Sequence, residues 1–412
     1  MIDLKNVSFH YIQSSENSGG LENISLHIHP GECVVLCGES GCGKTTLTRL
    51  INGLIPHYYE GELTGQILVK GRDVSRQPLY DTARFVGSVF QNPRSQFFNV
   101  DTTSEITFGC ENLGLNPQEI LSRLEQTTQD FHLHSLTDRD IFHLSGGEKQ
   151  KIACASVSIM HPDIFVLDEP SSNLDTASVE VLKKILSFWK YQGKTIVISE
   201  HRLYYLRGLA DRFVCLKDGK IQEIFSASAF SRMTEEERHS MGLRAYCLEQ
   251  LALPAPCPPG NAHIQLHNFS FTYPDGTDSL RISDCRILAE RIVAVVGHNG
   301  AGKSTFLRCL CGLEKKCGTV LWNQQSFSPK DRLSLCYMVM QDVNHQLFTE
   351  SVEEELQISM AENDGRQVEE ILEELDLLPL KNRHPMSLSG GQKAAGGNRL
   401  CCRLPPSASC IR

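Results

Sequence analysis

Short, uninterrupted apolar runs bounded by glycine and polar residues mark out the chain, and their length suits buried strands. Cys33–Cys37 (CVVLC) and Ile292–Val296 (IVAVV) are two such runs, each leading into a glycine-rich loop, and both predict strands of a parallel sheet covered on both faces. MIDLKNVSF at the start reads as a first strand with no secretory signal. IFVLDEP (Ile164 to Pro170) predicts an apolar strand ending in two acids, and KTIVISEH (Lys194 to His201) another that ends at a histidine. QKIACASVSIM (Gln150 to Met160) is apolar and helix-compatible, and the acidic run Glu235 to Glu237 reads as the solvated face of a helix. No apolar stretch approaches the ~18 residues of a membrane span, so any membrane partner is expected to be a separate chain.

The two loops after CVVLC and IVAVV carry the chemistry. Gly38, Glu39, Ser40, Gly41, Cys42, Gly43, Lys44 and Thr45 in one, and Gly297, His298, Asn299, Gly300, Ala301, Gly302, Lys303 and Ser304 in the other, both fit G-x-x-x-x-G-K-[ST]. Glycines let successive backbone N–H groups turn inward around a polyphosphate, the following helix points its positive end at it, and the lysine adds a charge. Thr45 and Ser304 are placed to ligate Mg²⁺, and Thr46 and Thr305 follow in the first helical turn. The chain is therefore read as a tandem nucleotide-binding protein.

Composition narrows the class. At 412 residues, 41% hydrophobic and 22% charged, the chain can bury a core in each half. A net charge of −9 argues against a nucleic-acid partner, which calls for a basic face. The sixteen cysteines are scattered without paired C-x-x-C spacing, so they read as reduced core residues of a cytosolic protein.

Superposing Lys44 on Lys303 aligns the flanks. VSFHY ends at Tyr11 and FSFTY at Tyr273; VFQNPRSQFF contains Gln91 and VMQDVNHQLF contains Gln341; LSGGEKQ spans Leu144 to Gln150 and LSGGQK spans Leu388 to Lys393. A period near 260 residues means domain duplication, not a solenoid. The expected domains are 1–250, a Pro-rich linker at 251–261 (LALPAPCPPG within it), and 262–393.

A P-loop, then a glutamine segment, then LSGGQ, found twice in that order, resembles the ATP-binding-cassette ATPases. The resemblance covers residues 1 to about 393 and implies α/β P-loop domains in tandem, each with a helical subdomain, binding ATP and Mg²⁺. It further implies that the signature residues of one copy (Ser145, Gly146, Gly147; Ser389, Gly390, Gly391, Gln392) complete the phosphate site of the other. Within the first copy it assigns Lys44 to the phosphates and Thr45, Gln91 and Asp168 to Mg²⁺. Glu169 would polarise the attacking water and His201 would contact the γ-phosphate, while SSNLD, ending at Asp175, would contact the partner cassette. Tyr11 and Tyr273 would stack on adenine, and Ser304 and Gln341 would serve the second Mg²⁺ site. Glu148 stands where the family has glutamine, leaving the Ser145 to Gly147 donors in place.

QNPRSQFF, QDVNHQLFTESVEEEL and NGLIPHYYEGELTG resemble, more narrowly, the energy-coupling-factor ATPases that drive import of vitamins or cobalt. That implies a peripheral ATPase on the cytoplasmic membrane face. Its partners would be a transmembrane coupling protein, a substrate-binding membrane subunit and, optionally, a second ATPase chain. The coupling protein would meet the chain at Gln96, Phe97, Phe98 and Gln346, Leu347, Phe348. A tandem sugar importer, a ribosome-acting tandem cassette and a non-catalytic relic or regulatory nucleotide binder stay open as alternatives; the first two fit the QNP and QLF segments and the short linker less well.

The second copy is expected to be incomplete. Asp168 lies 23 residues after Ser145, a spacing that puts its counterpart at position 412. AAGGNRLCCRLPPSASCIR (Ala394 to Arg412) resembles no helix of the family. Re-reading it from the second nucleotide of codon 394 permits QRVAIACAAAFRRAPAVF, an apolar helix entering a strand. A reading-frame slip after Lys393 is therefore expected, and residues 262–412 are not expected to form a stable domain alone.

Overall fold

The computed structural model describes residues 1–12, 20–250, 263–274, 276–288, 291–340, 343–358 and 365–388. Contacts divide the chain into two compact units, Met1–Leu253 and Pro254–Arg412. The Pro-rich linker and the tail from Ser389 onward lie outside the described residues.

The first unit is built on two sheets. Strands β1 (Ile2–Tyr11), β2 (Leu21–Ile28), β4 (Gly61–Val69) and β5 (Arg72–Asp73) form an antiparallel sheet in the order β2-β1-β4-β5. The second sheet holds β3 (Cys33–Cys37), β6 (Val86–Val89), β7 (Ile164–Asp168), β8 (Thr195–Ser199), β9 (Arg212–Lys217) and β10 (Lys220–Ser226). Its order is β10-β9-β3-β8-β7-β6, parallel throughout except for the β9–β10 hairpin.

The unbroken apolar runs follow from what lies on each side. Along β3, Val34 and Leu36 enter a core shared with the antiparallel sheet, whereas Cys33, Val35 and Cys37 enter a second core with the helices. β7 alternates in the same way: Ile164 and Val166 face one core, Phe165 and Leu167 the other. Phe165 stacks on Trp189 of the helix Thr176–Tyr191 with ring centroids 3.8 Å apart, which fixes that helix on the sheet. The acidic run opens the helix Glu235–Ser240 as read: Glu236 and Glu237 are exposed, and Glu235 pairs with buried Arg238. Of the cysteines in the described residues, ten are buried and two, Cys285 and Cys336, half-buried, as core residues would be.

Of the two sheets, the described residues of the second unit repeat the antiparallel one. β11 (His263–Thr272), β12 (Asp278–Leu288), β13 (Thr319–Trp322) and β14 (Gln325–Ser326) are ordered β12-β11-β13-β14, matching β2-β1-β4-β5. Among the described residues this unit has no parallel sheet, and the expected strand at Ile292–Val296 is not formed. Ile292 is 104% exposed and Val296 87%, whereas Val34 and Val35 of β3 are fully buried. β3 is hydrogen-bonded between β8 and β9, which enter the sheet from far along the chain, Cys33 meeting Ile196 and Val34 meeting Arg212. Among the described residues of the second unit no strand pairs with the Ile292–Val296 run, so it has no edge on which to bond.

Candidate functional site

The site of the first unit sits at the carboxyl ends of β3, β7 and β8, where open parallel sheets present their ligand crevice. β3 runs straight into the loop Gly38–Gly43, which ends at the helix Lys44–Ile51. Gly43 takes φ 102°, and a Cβ there would lie 2.6 Å from the Leu21 side chain, so the last turn before the helix admits only glycine. Lys44 is buried, and its Nζ donates to the carbonyls of Gly38 (3.0 Å) and Glu39 (2.8 Å), arching over the loop. Cys42 is buried under the same loop; Glu39, Ser40 and Gly41 are exposed, and Thr46 is buried in the first helical turn.

Thr45 leaves the helix toward β7, and its Oγ1 donates to Asp168 Oδ1 at 3.1 Å. The same carboxylate oxygen accepts from Ser199 Oγ at 2.8 Å. Asp168 and Ser199 are register partners at the ends of β7 and β8. Burial pushes the Asp168 carboxyl above its ordinary range, and the two hydroxyl donors offset only part of that.

Glu169 follows with φ 42°, a left-handed conformation uncommon for a residue with a side chain, held by its N–H bonding to Ser199 O at 2.9 Å. Its carboxylate accepts from Gln91 Nε2 at 3.0 Å and lies 3.1 Å from His201 Nε2. Burial pushes this carboxyl up, but the hydrogen bond and charge of His201, with Lys44 and Arg244, outweigh it and hold it below the ordinary glutamate range. Two adjacent carboxyls thus have their proton affinities driven apart, the pattern expected of groups with different tasks. A cavity of about 230 Å³ opens beside them, lined by Thr45, Arg49, Tyr59, Gln91 and Asp168 among others.

Tyr11 reaches this site from β1. Its hydroxyl lies 3.3 Å from Thr46 Oγ1 and accepts from Arg49 Nη1 at 3.0 Å, while Arg49 lies over the ring of Tyr59 at 3.9 Å. Ser145 caps the helix Gly146–Ser158 in a reciprocal capping box with Glu148. Glu148 N donates to Ser145 Oγ at 3.3 Å and Ser145 N to Glu148 Oε2 at 2.8 Å. Glu148 therefore completes the cap of the signature helix, a bond that a glutamine at this position could also make.

In the second unit the loop geometry recurs. Lys303 Nζ donates to Gly297 O at 2.8 Å and His298 O at 2.7 Å, and Tyr273 OH lies 2.9 Å from Thr305 Oγ1. Gly300 and Gly302 keep the left-handed φ of Gly41 and Gly43, before the helix Lys303–Cys311. Asn299 and Ala301 lie on the exposed loop, and Ser304 is exposed where Thr45 meets Asp168. Gln341, Ser389, Gly390, Gly391 and Gln392 lie outside the described residues.

Ser199 and Arg49 are site residues that the sequence reading does not single out. Ser199 carries its signal as the polar residue closing the run TIVIS; Arg49 carries none. Ser199 reaches Asp168 through the sheet register, which pattern alone does not supply.

The model for the family described as ABC transporter matches residues 21–172 and 280–397. A relative in Treponema denticola, assigned to the ABC transporter ATP-binding proteins, is 46% identical over 402 residues, covering 95% of this chain and 81% of its own length. One from Methanosarcina mazei, assigned likewise, is 32% identical over 451 residues, covering 95% and 76%. Among solved structures, CbiO1 of Clostridium perfringens, part of the ABC transporter complex CbiONQ, is similar with a TM-score of 0.50. The identity there is 27%, over 56% of this chain and 90% of that one. With the phosphate loop, strand-end acids and histidine converging as they do, the chain belongs to the ABC transporter family, as an ATP-hydrolysing, ATP-binding subunit with two cassettes in tandem.

Proposed function

We propose that this chain is the ATPase of an energy-coupling-factor-type importer, driving uptake of a vitamin-like compound or metal ion from the cytoplasmic face of the membrane. The observation that carries this reading is a surface feature built twice. In the first copy, buried Glu105 accepts the backbone N–H of Phe98 (2.9 Å) and Asn99 (2.8 Å), and Phe98 is left 75% exposed. In the second, buried Glu355 accepts those of Phe348 (2.9 Å) and Thr349 (3.0 Å), and Phe348 is 77% exposed. Gln96 Oε1 likewise accepts from Phe90 N and Gln346 Oε1 from Met340 N. A buried carboxylate spent on fixing an exposed aromatic marks a presented anchor for a partner. The partners proposed are a transmembrane coupling protein at these two anchors and a substrate-binding membrane subunit beyond it. The similarity to CbiO1, itself part of a transporter complex, supports the same reading.

At the catalytic site, Lys44 and the loop amides bind the phosphates, Tyr11 stacks on the base, Glu169 takes up the attacking water's proton and His201 holds the γ-phosphate end. The hard oxygen donors Thr45 and Asp168, with Gln91, fit Mg²⁺, which when bound would supply charge neutralisation at the phosphate oxygens. The unpaired, exposed Ile292–Val296 run favours, as a second reading, a regulatory role for the second copy.

The test is capture from detergent-solubilised membranes together with uptake of labelled cobalt, vitamins and sugars. The expected result is co-purification of a membrane protein, lost in Phe98→Ser with Phe348→Ser, and ATP-dependent uptake of cobalt or a vitamin. Sugar uptake, or no membrane partner, would contradict it. The proposed frame slip after Lys393 is tested by sequencing the gene. The shifted frame should reach an LDEP-like strand and a histidine about 56 residues after Ser389, the spacing of Ser145 to His201; early stop codons there would refute it.

A further inference from the structure

Glu200 is 2% exposed, and its carboxylate has four donors. Oε1 accepts from the backbone N–H of His201 at 2.9 Å and of Arg202 at 3.1 Å. Oε2 accepts from Tyr205 OH at 2.9 Å and from the backbone N–H of Ser171 at 3.3 Å. Those bonds fill the acceptor positions of a carboxylate, so the buried charge is satisfied by amides and a hydroxyl.

The partners lie on two different segments. His201 to Tyr205 follow β8, whereas Ser171 begins the loop after β7, directly past Glu169 and Pro170. Arg202 grips the same loop further on, with Nη1 donating to Leu174 O at 2.9 Å and Nη2 to Ser172 O at 3.4 Å. Ser172 N in turn bonds back to Glu169 O at 3.1 Å. The residues on either side of His201 therefore both hold Ser171–Leu174, and His201 itself meets the Glu169 carboxylate.

We propose that Glu200 is a positioning residue for ATP hydrolysis. By tying the amides of His201 and Ser171 to one buried carboxylate, it makes the histidine and the Ser171–Leu174 loop a single body, and sets the imidazole against Glu169. With its carboxylate taken up by those four donors, Glu200 acts through His201. A group that fixes another's geometry shows itself in turnover more than in affinity.

Steady-state turnover and ATP affinity are measured on the full chain for wild type, Glu200→Gln, His201→Ala and the double variant. The amide of Glu200→Gln keeps the volume and one acceptor but loses the second. The expected result is kcat lower by roughly 10- to 100-fold, ATP affinity within about threefold of wild type, and a double variant no slower than His201→Ala alone. Unchanged kcat, a parallel loss of affinity, or multiplying losses in the double variant would each overturn the proposal. If Glu200→Gln is not recovered folded, Tyr205→Phe, which removes one of the four bonds, takes its place in the cycle. Its loss should be about two- to tenfold and vanish in the His201→Ala background; a loss that persists there contradicts the role.

Discussion

His201 Nε2 and Glu169 Oε1 lie 3.1 Å apart, although the two residues follow different strands and stand 32 positions apart in the chain. The contact exists because β7 and β8 are parallel neighbours, so their carboxyl ends deliver both side chains to one crevice. With Gln91 on its other oxygen, Glu169 is aimed and kept ionised. Glu169→Gln retains the shape and removes the proton acceptor. Turnover should fall by roughly 10²–10⁴-fold with ATP binding retained, as measured by phosphate release and nucleotide titration.

Asp168 stands in the opposite electrostatic position. Its carboxyl is raised above the unfolded value by burial, so its charge opposes folding above the folded pKa and ceases to do so as pH falls through it. Asp168→Asn still accepts from Thr45 and Ser199 without the charge. It should raise the stability of the nucleotide-free protein at neutral pH by about 1 kcal/mol, while impairing turnover. Thermal unfolding at several pH values is the check: the gain should shrink toward acid. Glu169 has the reverse sign; its folded value is depressed, so its contribution is present above the unfolded 4.5 and is lost as pH falls through the folded value.

Gly147 packs the signature helix against the start of the helix Thr176–Tyr191. A Cβ at this position would lie 2.1 Å from Ser178 Oγ. Gly147→Ala should destabilise the protein by roughly 1–3 kcal/mol, and Ser178→Gly should restore part of that. Chemical denaturation of the two single variants and the double variant measures the coupling.

The two copies should differ in resistance to protease. The first unit has two extensive cores, one on each face of its parallel sheet; the described part of the second has two small separate clusters, around Phe269 and around Ile371. Limited proteolysis of the full chain should leave one resistant fragment comprising the N-terminal half. Two equally resistant halves would show that the second copy is a stable domain.

The phosphate loops, the strand-end acids and the histidine were legible because each is a local string whose residues are used where they stand. β3, β7 and β8 were legible because strands covered on both faces read as unbroken apolar runs. Ile292–Val296 has the same pattern, yet forms no strand: pattern records what a segment needs, not whether neighbours are there to provide it. Ser199 and Glu200 escaped for a related reason. A serine and a glutamate at a strand end are ordinary until register sets one on Asp168 and the other on Ser171.

The central proposal is that hydrolysis is carried by the site built on Lys44, Glu169 and His201. Two matched substitutions test it most directly, because Lys44 and Lys303 make the same pair of bonds to their own loops. ATP turnover of the full chain should be lost, by on the order of 10²-fold or more, in Lys44→Ala. Lys303→Ala should keep turnover within about tenfold of wild type. Equal losses in the two variants, or a loss confined to Lys303→Ala, would contradict the account.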